Sequence, residues 1–424
     1  MASQAASSAT SNRWVVAAAA VVMQLGLGAV YAWSVFREPL SIHYGTGITP
    51  VNAAFFIAIL LIGFFAFIGG RWMQRSGPRI VGITGGLFYG AGVFLAWFAE
   101  GSVVVLWLSY GLLAGIGLGL GYIVPLQTLP QWFPDRPGLA TGIAVAGFGG
   151  GSGLTVPLAQ WLMSATGSPF GAFAILGIAY LVMVAGAAFF MKNPPEGYGA
   201  TEQEESGTEE EASEWDFRKA LGTWQWYALW GILFLNTTAG LALISDAKAM
   251  ATGIGGATTA LALTFVVILA AANALGRLGW ASLSDYIGPK NVFIIMFLLQ
   301  AVLFLLMPIL GYGAFVIFTI LSFIVVACYG GGFSTMPAFV GAYYGTENIG
   351  TIYGPLLTAW GIATLGAPLI LAVSTDATGS YDLALYITAG ISLVSTILAF
   401  IMRPPESPRE EAEAGPQEAG EARA

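Results

Sequence analysis

Charged residues are scarce in this chain of 424 residues, at 9% against 57% hydrophobic residues. Soluble proteins carry roughly 25% charged residues, so this composition excludes a soluble globular protein and indicates an integral membrane protein. The formal net charge of -8 comes mostly from two acidic segments, Glu202 to Glu214 and Glu410 to Glu421. Such segments are typical of solvated, disordered chain, and the alternative is that they bind a partner.

Cysteine and histidine are almost absent, with one residue of each. The single cysteine, Cys328, excludes an intramolecular disulfide and a cysteine metal cluster. No Gly-Lys-Ser or Gly-Lys-Thr sequence occurs, which excludes a pump driven by a nucleotide-binding loop. We therefore expect no cofactor, no metal site, no nucleic-acid partner and no enzymatic activity.

Long apolar runs make up most of the remaining chain. A helix needs roughly 20 apolar residues to cross a bilayer, and by this measure the sequence predicts an all-α membrane protein with twelve spans. The first run is too long for the core of a signal peptide, so we expect it to be retained as a span. The spans are predicted to begin near Trp14, Val51, Arg79, Ser102, Pro137, Pro169, Thr223, Thr258, Pro289, Gly313, Gly350 and Ser380.

One long polar stretch divides these spans into six and six. The predicted parts are an N-terminal tail (1–13), a first six-helix half (14–192), a central loop (193–222), a second six-helix half (223–402) and an acidic tail (403–424). Loops on the cytoplasmic side carry an excess of Lys and Arg. Twelve of the fifteen such residues lie on the side of the N-terminus. We therefore expect both termini and the central loop in the cytoplasm and the protein in the plasma (inner) membrane.

Arg277 is the exception, because it lies inside the apolar run from Thr258 to Leu283. An arginine within a span costs at least about 2.5–3.5 kcal/mol on insertion scales, so it must face protein or water rather than lipid. Asn273 lies one helical turn earlier on the same face, and a buried cation beside an amide is typical of an anion site. The alternatives are an arginine that snorkels to the interface and an ion pair with Asp285.

A weak internal repeat relates the two halves. The first copy is Gln74-x-x-Gly77-Pro78-Arg79, between spans two and three, and the second is Asp285-x-x-Gly288-Pro289-Lys290, between spans eight and nine. Parallel six-span halves describe the major facilitator fold, and the second copy resembles the signature loop of that superfamily. The resemblance implies a gating loop that includes Gly77, Arg79, Asp285, Gly288 and Lys290. Gln74 departs from the pattern, since an acid is usual there.

Three further segments resemble the oxalate/formate antiporter family, which is related to the monocarboxylate transporters. They are Tyr31-Ala-Trp-Ser-Val-Phe36, Trp132-Phe-Pro-Asp-Arg-Pro-Gly-Leu-Ala-Thr-Gly142 and Tyr353-Gly-Pro-Leu-Leu-Thr-Ala-Trp-Gly361. The resemblance covers the chain from about Trp14 to Met402. It implies that Arg277 holds a carboxylate, assisted by Asn273, within a cage formed by Tyr31, Tyr122, Tyr329 and Phe333.

The chain departs from the oxalate antiporter of that family at one position, where Trp360 replaces a lysine in span eleven. One buried cation neutralises one carboxylate, and a second, uncompensated charge in a low-dielectric site is heavily disfavoured. The sequence therefore favours a secondary active transporter of small monocarboxylates such as lactate, pyruvate or formate, working by alternating access. A co-transported proton or a counter-anion would balance the charge, and we expect a monomer in the lipid bilayer. The alternatives are an oxalate/formate-type dicarboxylate antiporter and a transporter-like anion channel or sensor.

Several other polar residues allow two interpretations. His43, at the predicted outer end of span one, has a role in proton sensing or no functional role. Gln24 and Asn236 make hydrogen bonds between helices or contact the substrate. Asp246 and Lys248 are predicted to form a solvated pair at the outer mouth of span seven.

Overall fold

The computed structural model describes residues 2–195, 198, 215–345 and 349–406, which form a bundle of α-helices. Within these ranges side chains are described from Arg13 onward, except at positions 259, 368 and 372. The helices of the first half are α1 (Ala2–Gly28), α2 (Trp33–Tyr44), α3 (Ile48–Leu95), α4 (Val103–Leu106), α5 (Ala114–Trp132), α6 (Pro137–Thr166) and α7 (Pro169–Ala188). Those that follow are α8 (Phe217–Leu221), α9 (Trp224–Ile244), α10 (Ala247–Gly253), α11 (Thr259–Ile287), α12 (Pro289–Leu310), α13 (Phe315–Tyr344), α14 (Ile349–Leu356), α15 (Thr358–Thr378) and α16 (Asp382–Ile401). The two acidic segments lie outside the described residues.

Within the described ranges, eleven helical segments are long and apolar enough to cross a membrane. One of them, Ile48–Ala99, has 52 residues, more than twice the length that a bilayer requires. It bends at Gly77, whose φ of 73° and ψ of 169° are not helical, and it therefore supplies two spans. The prediction of an all-α fold with twelve spans is confirmed.

Proline and glycine determine where several spans begin and end. Pro137, Pro169 and Pro289 occupy the first turns of α6, α7 and α12, where the missing N–H costs no helical hydrogen bond. Gly288 ends α11 with a φ of 81°, a conformation that is costly for other residues. Gly77 and Gly288 therefore make equivalent sharp turns in the two copies of the repeat.

The main contacts between the two halves involve α3 and α6 of the first half. The first part of α3 packs against α14 and α15, and α6 packs against α11. Glycines allow these backbones to approach closely. A Cβ atom on Gly63 would lie 2.6 Å from the backbone nitrogen of Thr358, and one on Gly138 would collide with the carbonyl oxygen of Ala281. Small residues at helix crossings are the usual means of close packing in membrane bundles.

Large apolar side chains cover much of the outside of the bundle. Phe64, Trp161, Val182 and Phe400 are each more than half exposed. An exposed apolar surface of this extent suits contact with lipid rather than water. The charged side chain that is buried among the described residues, Arg277, lies instead at the centre, between the halves.

Candidate functional site

Arg277 has a fully buried side chain that is held by both halves of the bundle. Its Nε donates to Oδ1 of Asn273 at 3.0 Å, and its Nη1 donates to the carbonyl oxygen of Val145, in α6, at 3.2 Å. Its Nη2 is buried and has no hydrogen-bond partner among the described residues. The hydroxyls of Tyr31 and Tyr122 lie near enough to interact electrostatically with the guanidinium. Because a guanidinium carries five N–H donors, this one retains donors for a ligand.

No carboxylate neutralises Arg277 in the part of the chain that the structure describes. The ion pairs there are Arg13–Asp135 and Arg37–Asp246. Asp285, the alternative partner considered from the sequence, accepts hydrogen bonds elsewhere, and full burial excludes snorkelling to the interface. A buried charge without a partner is costly, so this environment favours the binding of an anion.

Aromatic rings enclose the guanidinium. The Cζ atom of Arg277 lies 5.3 Å from the ring centre of Phe333 and 5.4 Å from that of Phe148, both within the range of cation–π interactions. The Tyr329 ring lies 5.3 Å from that of Phe333. The ring of Trp360 lies 4.8 to 6.2 Å from those of Phe333, Phe148, Tyr31 and Tyr122. The structure therefore brings together all the aromatic residues that the family resemblance predicts. Trp360 lies among these rings.

Phe148 is a cage residue that the sequence alone does not reveal. It lies within the glycine run from Gly147 to Gly153, which favours close packing of helices, and the structure shows such packing. A Cβ atom on Gly149 would lie 3.1 Å from Cδ of Arg277. The sequence does show one large aromatic ring within a run of small residues. The neighbouring residues do not show which face of α6 lies toward Arg277.

Two cage residues lie where a span departs from regular α-helix. Tyr31 belongs to the 3₁₀ segment Ala29–Ala32, which joins α1 to α2. Trp360 lies in the first turn of α15, just after the interruption at Leu357 that separates it from α14. Interrupted helices near the centre of a bundle are common where transporters bind their substrates.

A cavity of about 170 Å³ lies between the halves on one side of the cage. Tyr31 and Asn273 line it, whereas Arg277 does not. The hydroxyls of Tyr31 and Tyr329, from opposite halves, are 2.9 Å apart and share a hydrogen bond. Tyr31 and Asn273 thus separate the guanidinium from the cavity.

The cavity continues toward the end of the bundle at which α2 ends and α10 begins. A vestibule of about 570 Å³ at this end is lined by Arg37, Glu38, Asp246 and Lys248, among others. Liquid water occupies about 30 Å³ per molecule, so the inner cavity suits a ligand of several heavy atoms. The vestibule at this end, the predicted outer side, is therefore larger in volume than the inner cavity.

The opposite end of the bundle is closed by contact between the halves. Asp285, at the end of α11, accepts the backbone N–H groups of Gly138 at 2.6 Å and Leu139 at 2.9 Å. These residues begin α6, and a carboxylate at a helix N-terminus is stabilised by the helix dipole. Asp285 therefore joins the second half to the first at the predicted cytoplasmic side.

The other residues of the predicted gating loop have different surroundings. Lys290 donates to the carbonyl oxygen of Met402 at 2.6 Å, which ties α12 to the end of α16 within the second half. Arg79 is exposed. Gly77 and Gly288 form the turns described above. Of these five residues, Asp285 is the one that the structure shows in a contact between halves.

One predicted pair is wrong. Oδ1 of Asp246 lies 3.8 Å from Nη2 of Arg37, and it forms no ion pair with Lys248 within the described chain. The reason is that Asp246 precedes the first turn of α10 and faces α2 across the cavity. The sequence gives no sign of this partner, because Arg37 lies in the other half.

The remaining polar residues connect helices. The side-chain amides of Gln24 and Asn236 donate to the carbonyl oxygens of Tyr122 and Tyr329, respectively, each at 3.2 Å. Both bonds therefore help to position cage residues. His43 Nε2 lies 2.9 Å from the carbonyl oxygen of Glu100, a contact between α2 and the turn before α4.

Comparison with known proteins identifies the family. The family model described as Major Facilitator Superfamily matches residues 5–247 and again residues 229–423. Each match spans roughly one half of the chain, as expected for two similar six-span halves. Together the two matches cover nearly the whole sequence.

Three relatives are similar to this chain over different lengths. The oxalate:formate antiporter of Oxalobacter formigenes is 27% identical over 397 residues, which cover 93% of this chain and 92% of the relative. The apicoplast pyruvate carrier 1 of Toxoplasma gondii is 26% identical over 369 residues, or 73% and 68% of the two chains. Monocarboxylate transporter 13 of Rattus norvegicus is 40% identical over 108 residues, or 26% and 25%. The resemblance inferred from the motifs is confirmed.

A solved structure supports the fold independently. The major facilitator transporter FucP, in its outward conformation, superposes with a TM-score of 0.65, covering 90% of this chain and 97% of FucP at 17% sequence identity. At this identity the likeness concerns the fold alone. With two family matches and twelve spans in two halves, this multi-pass membrane chain belongs to the major facilitator superfamily.

Proposed function

We propose that this protein is a secondary active transporter of small organic monocarboxylate anions. One observation carries the proposal: Arg277 is fully buried between the halves, with Nη2 unpaired and no carboxylate partner among the described residues. Guanidinium binds a carboxylate through two parallel hydrogen bonds, and the interaction is stronger where water is excluded. Similarity to proteins named for oxalate, formate and pyruvate supports a carboxylate substrate.

The number of fixed charges favours a monocarboxylate. Arg277 is the one charged residue among the buried polar residues that the structure describes. Trp360 is fully buried, and its Nε1 has no hydrogen-bond partner within the described chain. We infer that Nε1 donates to the bound carboxylate beside the guanidinium. A second carboxylate on the substrate would have no cation to meet and would be strongly disfavoured.

Alternating access accounts for the two ends of the bundle. The cavity opens toward the predicted outer side, whereas Asp285 and α6 close the predicted cytoplasmic side. Rocking of the halves would break the Asp285 contacts and expose the cage to the cytoplasm. We propose the orientation that the Lys and Arg distribution predicts, with both termini in the cytoplasm and the protein in the plasma membrane.

Charge balance favours exchange. When the anion leaves, Arg277 remains as an uncompensated buried cation, and such a site is stabilised by any second anion that enters it. A proton carried with the substrate is the other route to balance. We propose that a counter-anion accelerates transport, because it neutralises the arginine during the return step.

Uptake of labelled lactate into vesicles reconstituted with the full chain tests the proposed function. We expect saturable uptake that is faster with unlabelled lactate inside, and stronger competition by pyruvate than by oxalate. Ohmic anion current without saturation would indicate a channel and contradict the proposal. Whole-chain similarity to the oxalate:formate antiporter makes dicarboxylate exchange the second candidate, and stronger competition by oxalate than by every monocarboxylate tested would favour it.

A further inference from the structure

A second arginine lies on the route to Arg277. Arg37, in α2 of the first half, lines both the inner cavity and the outer vestibule. Asp246, which precedes α10 in the second half, lines the same two spaces and lies 3.8 Å from Arg37. The side chains are 31% and 34% exposed. The pair therefore lies at the boundary between cavity and vestibule, where an entering ligand must pass.

This ion pair is loose. Its distance of 3.8 Å exceeds the 2.7–2.9 Å of a charge-assisted hydrogen bond. Partly exposed pairs of this kind add little stability. Asp246 therefore leaves the hydrogen-bonding capacity of Arg37 mostly unused, and another carboxylate can take its place at small cost.

The charges around the pair are balanced. The charged residues that line the vestibule are Arg37, Glu38, Asp246 and Lys248, two of each sign. Arg37 and Asp246 also line the inner cavity, whereas Glu38 and Lys248 do not. All four residues therefore contribute to the electrostatic potential at the entrance. Only Arg37 and Asp246 of these four can contact a ligand as it enters the cavity.

We propose that Arg37 is an outer binding site for small carboxylates, at which an incoming anion exchanges with Asp246 before it moves on to Arg277. The inference rests on the proposed function, because both sites take the same class of anion. Asp246 acts as a tethered competitor and sets the concentration at which the outer site fills. The polar side chains of Ser34, Asn52, Ser245 and Thr364 also line the cavity and provide polar groups along the route.

A simple latch between the halves predicts a different pattern. In a latch, loss of either partner breaks the same contact, so Arg37→Gln and Asp246→Asn change transport in the same direction. At an exchange site the two substitutions have opposite effects. Loss of Arg37 removes the binding group and raises KM, whereas loss of Asp246 removes the competitor and lowers KM.

Uptake of labelled lactate into vesicles, measured for the full chain and its variants, distinguishes an exchange site from a latch. We expect KM to rise about tenfold in Arg37→Gln and to fall about threefold in Asp246→Asn, with Vmax within about twofold of wild type. Arg37→Lys keeps the charge and should recover most of the affinity lost in Arg37→Gln. The double variant Arg37→Gln/Asp246→Asn should resemble Arg37→Gln, because no binding group remains to be freed.

The matched controls are Lys248→Gln and Glu38→Gln, which make the same changes in vestibule charge without altering the cavity lining. We expect each to change KM by less than about twofold, since screened charges contribute little at physiological salt. If Lys248→Gln raised KM as much as Arg37→Gln does, the effect would come from the overall vestibule charge and not from a binding site at Arg37. That result would overturn the inference. KM shifts of the same sign in Arg37→Gln and Asp246→Asn would also overturn it, in favour of a latch, and leave the proposed function intact. Absence of saturable lactate uptake by the wild type would instead refute the proposed function.

Discussion

Among single residues, Trp360 has the greatest influence on which anions the site accepts. Its ring contacts those of Phe333, Phe148, Tyr31 and Tyr122, and its Nε1 has no partner in the described chain. Tryptophan carries no charge, but its Nε1 is a hydrogen-bond donor.

Replacing Trp360 by lysine should shift selectivity toward dicarboxylates, because it places a second cation beside Arg277. Competition of lactate uptake by oxalate and by pyruvate, at one pH, measures the shift. The new cation is buried, so the melting temperature should fall without an anion and recover when oxalate is added. An unchanged ratio of oxalate to pyruvate competition would contradict the charge-count argument.

The matched variant Trp360→Phe keeps an aromatic ring but loses the N–H group. A hydrogen bond to a charged group contributes about 1.5 kcal/mol, so KM for lactate should rise about tenfold. Selectivity between oxalate and pyruvate should not change, because the number of cations is the same. A KM equal to that of the wild type would show that Nε1 does not contact the substrate.

For single residues, the sequence predicts which charged side chain is buried better than it predicts which residues lie next to one another. Burial of Arg277 follows from its place in an apolar run, since lipid cannot solvate it. The cage residues follow from resemblance to a family. Phe148 and the Arg37–Asp246 pair cannot be derived locally, because each depends on how two halves distant in sequence face each other. That the Asn273 oxygen accepts from the arginine also required the structure.

At the scale of elements, the contact between α11 and the start of α6 closes one end of the bundle. The carboxylate of Asp285 accepts two backbone N–H groups of α6. Gly138 makes this approach possible, because a Cβ atom there would lie 2.5 Å from Oδ1 of Asp285. In the first copy of the repeat Gln74 has no charge, so the closing contact is electrostatically asymmetric between the halves.

Asp285→Asn should weaken this closed end, because it removes the negative charge at the N-terminus of α6 and one of two acceptors. Loss of about 1 kcal/mol increases the population of the open state roughly fivefold. The measurement is the labelling rate of Thr141→Cys, a buried position in α6, in a Cys328→Ala background. The matched control is Asp216→Asn, which removes a similar cap on Lys219 N of α8 but lies outside the α6–α11 contact. Equal labelling in the Asp285 variant and its parent would contradict the gating role.

Helix boundaries follow well from the sequence where proline or glycine enforces them. The Gly77-Pro78 and Gly288-Pro289 turns separate spans in the predicted places because glycine adopts the positive φ and proline tolerates the first helical turn. The interruption at Leu357 also has a local cause, because Pro355 lies two residues before it and supplies no backbone N–H. The 3₁₀ segment around Tyr31 contains no proline, and the sequence does not mark its position.

At the scale of the whole molecule, hydropathy and the positive-inside rule predict the number of spans and their orientation. Twelve spans are found, but orientation remains a prediction. The conformation could not be inferred from sequence, because a bundle that alternates between open ends has the same hydropathy in each state. The structure shows the state with a cavity toward the predicted outer side.

Thiol labelling in intact cells tests orientation. Ser206→Cys, in the central loop outside the described residues, should resist a membrane-impermeant reagent. Ser164→Cys, an exposed position near the end of α6, should react because the predicted orientation places it outside. The native Cys328 is buried, so the parent protein should stay unlabelled. Labelling at Ser206→Cys without labelling at Ser164→Cys would reverse the orientation.

Anion transport by Arg277 variants tests the central claim most directly. Arg277→Ala should reduce lactate uptake into vesicles to the level of empty vesicles, because the buried anion loses its counter-charge. Arg277→Lys should keep the charge but lose the bidentate hydrogen bonding, and with it much of the affinity for the anion. The matched control, Arg403→Ala at an exposed position, should transport as the wild type does, and all variants should elute as folded protein from size-exclusion chromatography. Uptake by folded Arg277→Ala at the wild-type rate and KM would contradict the account.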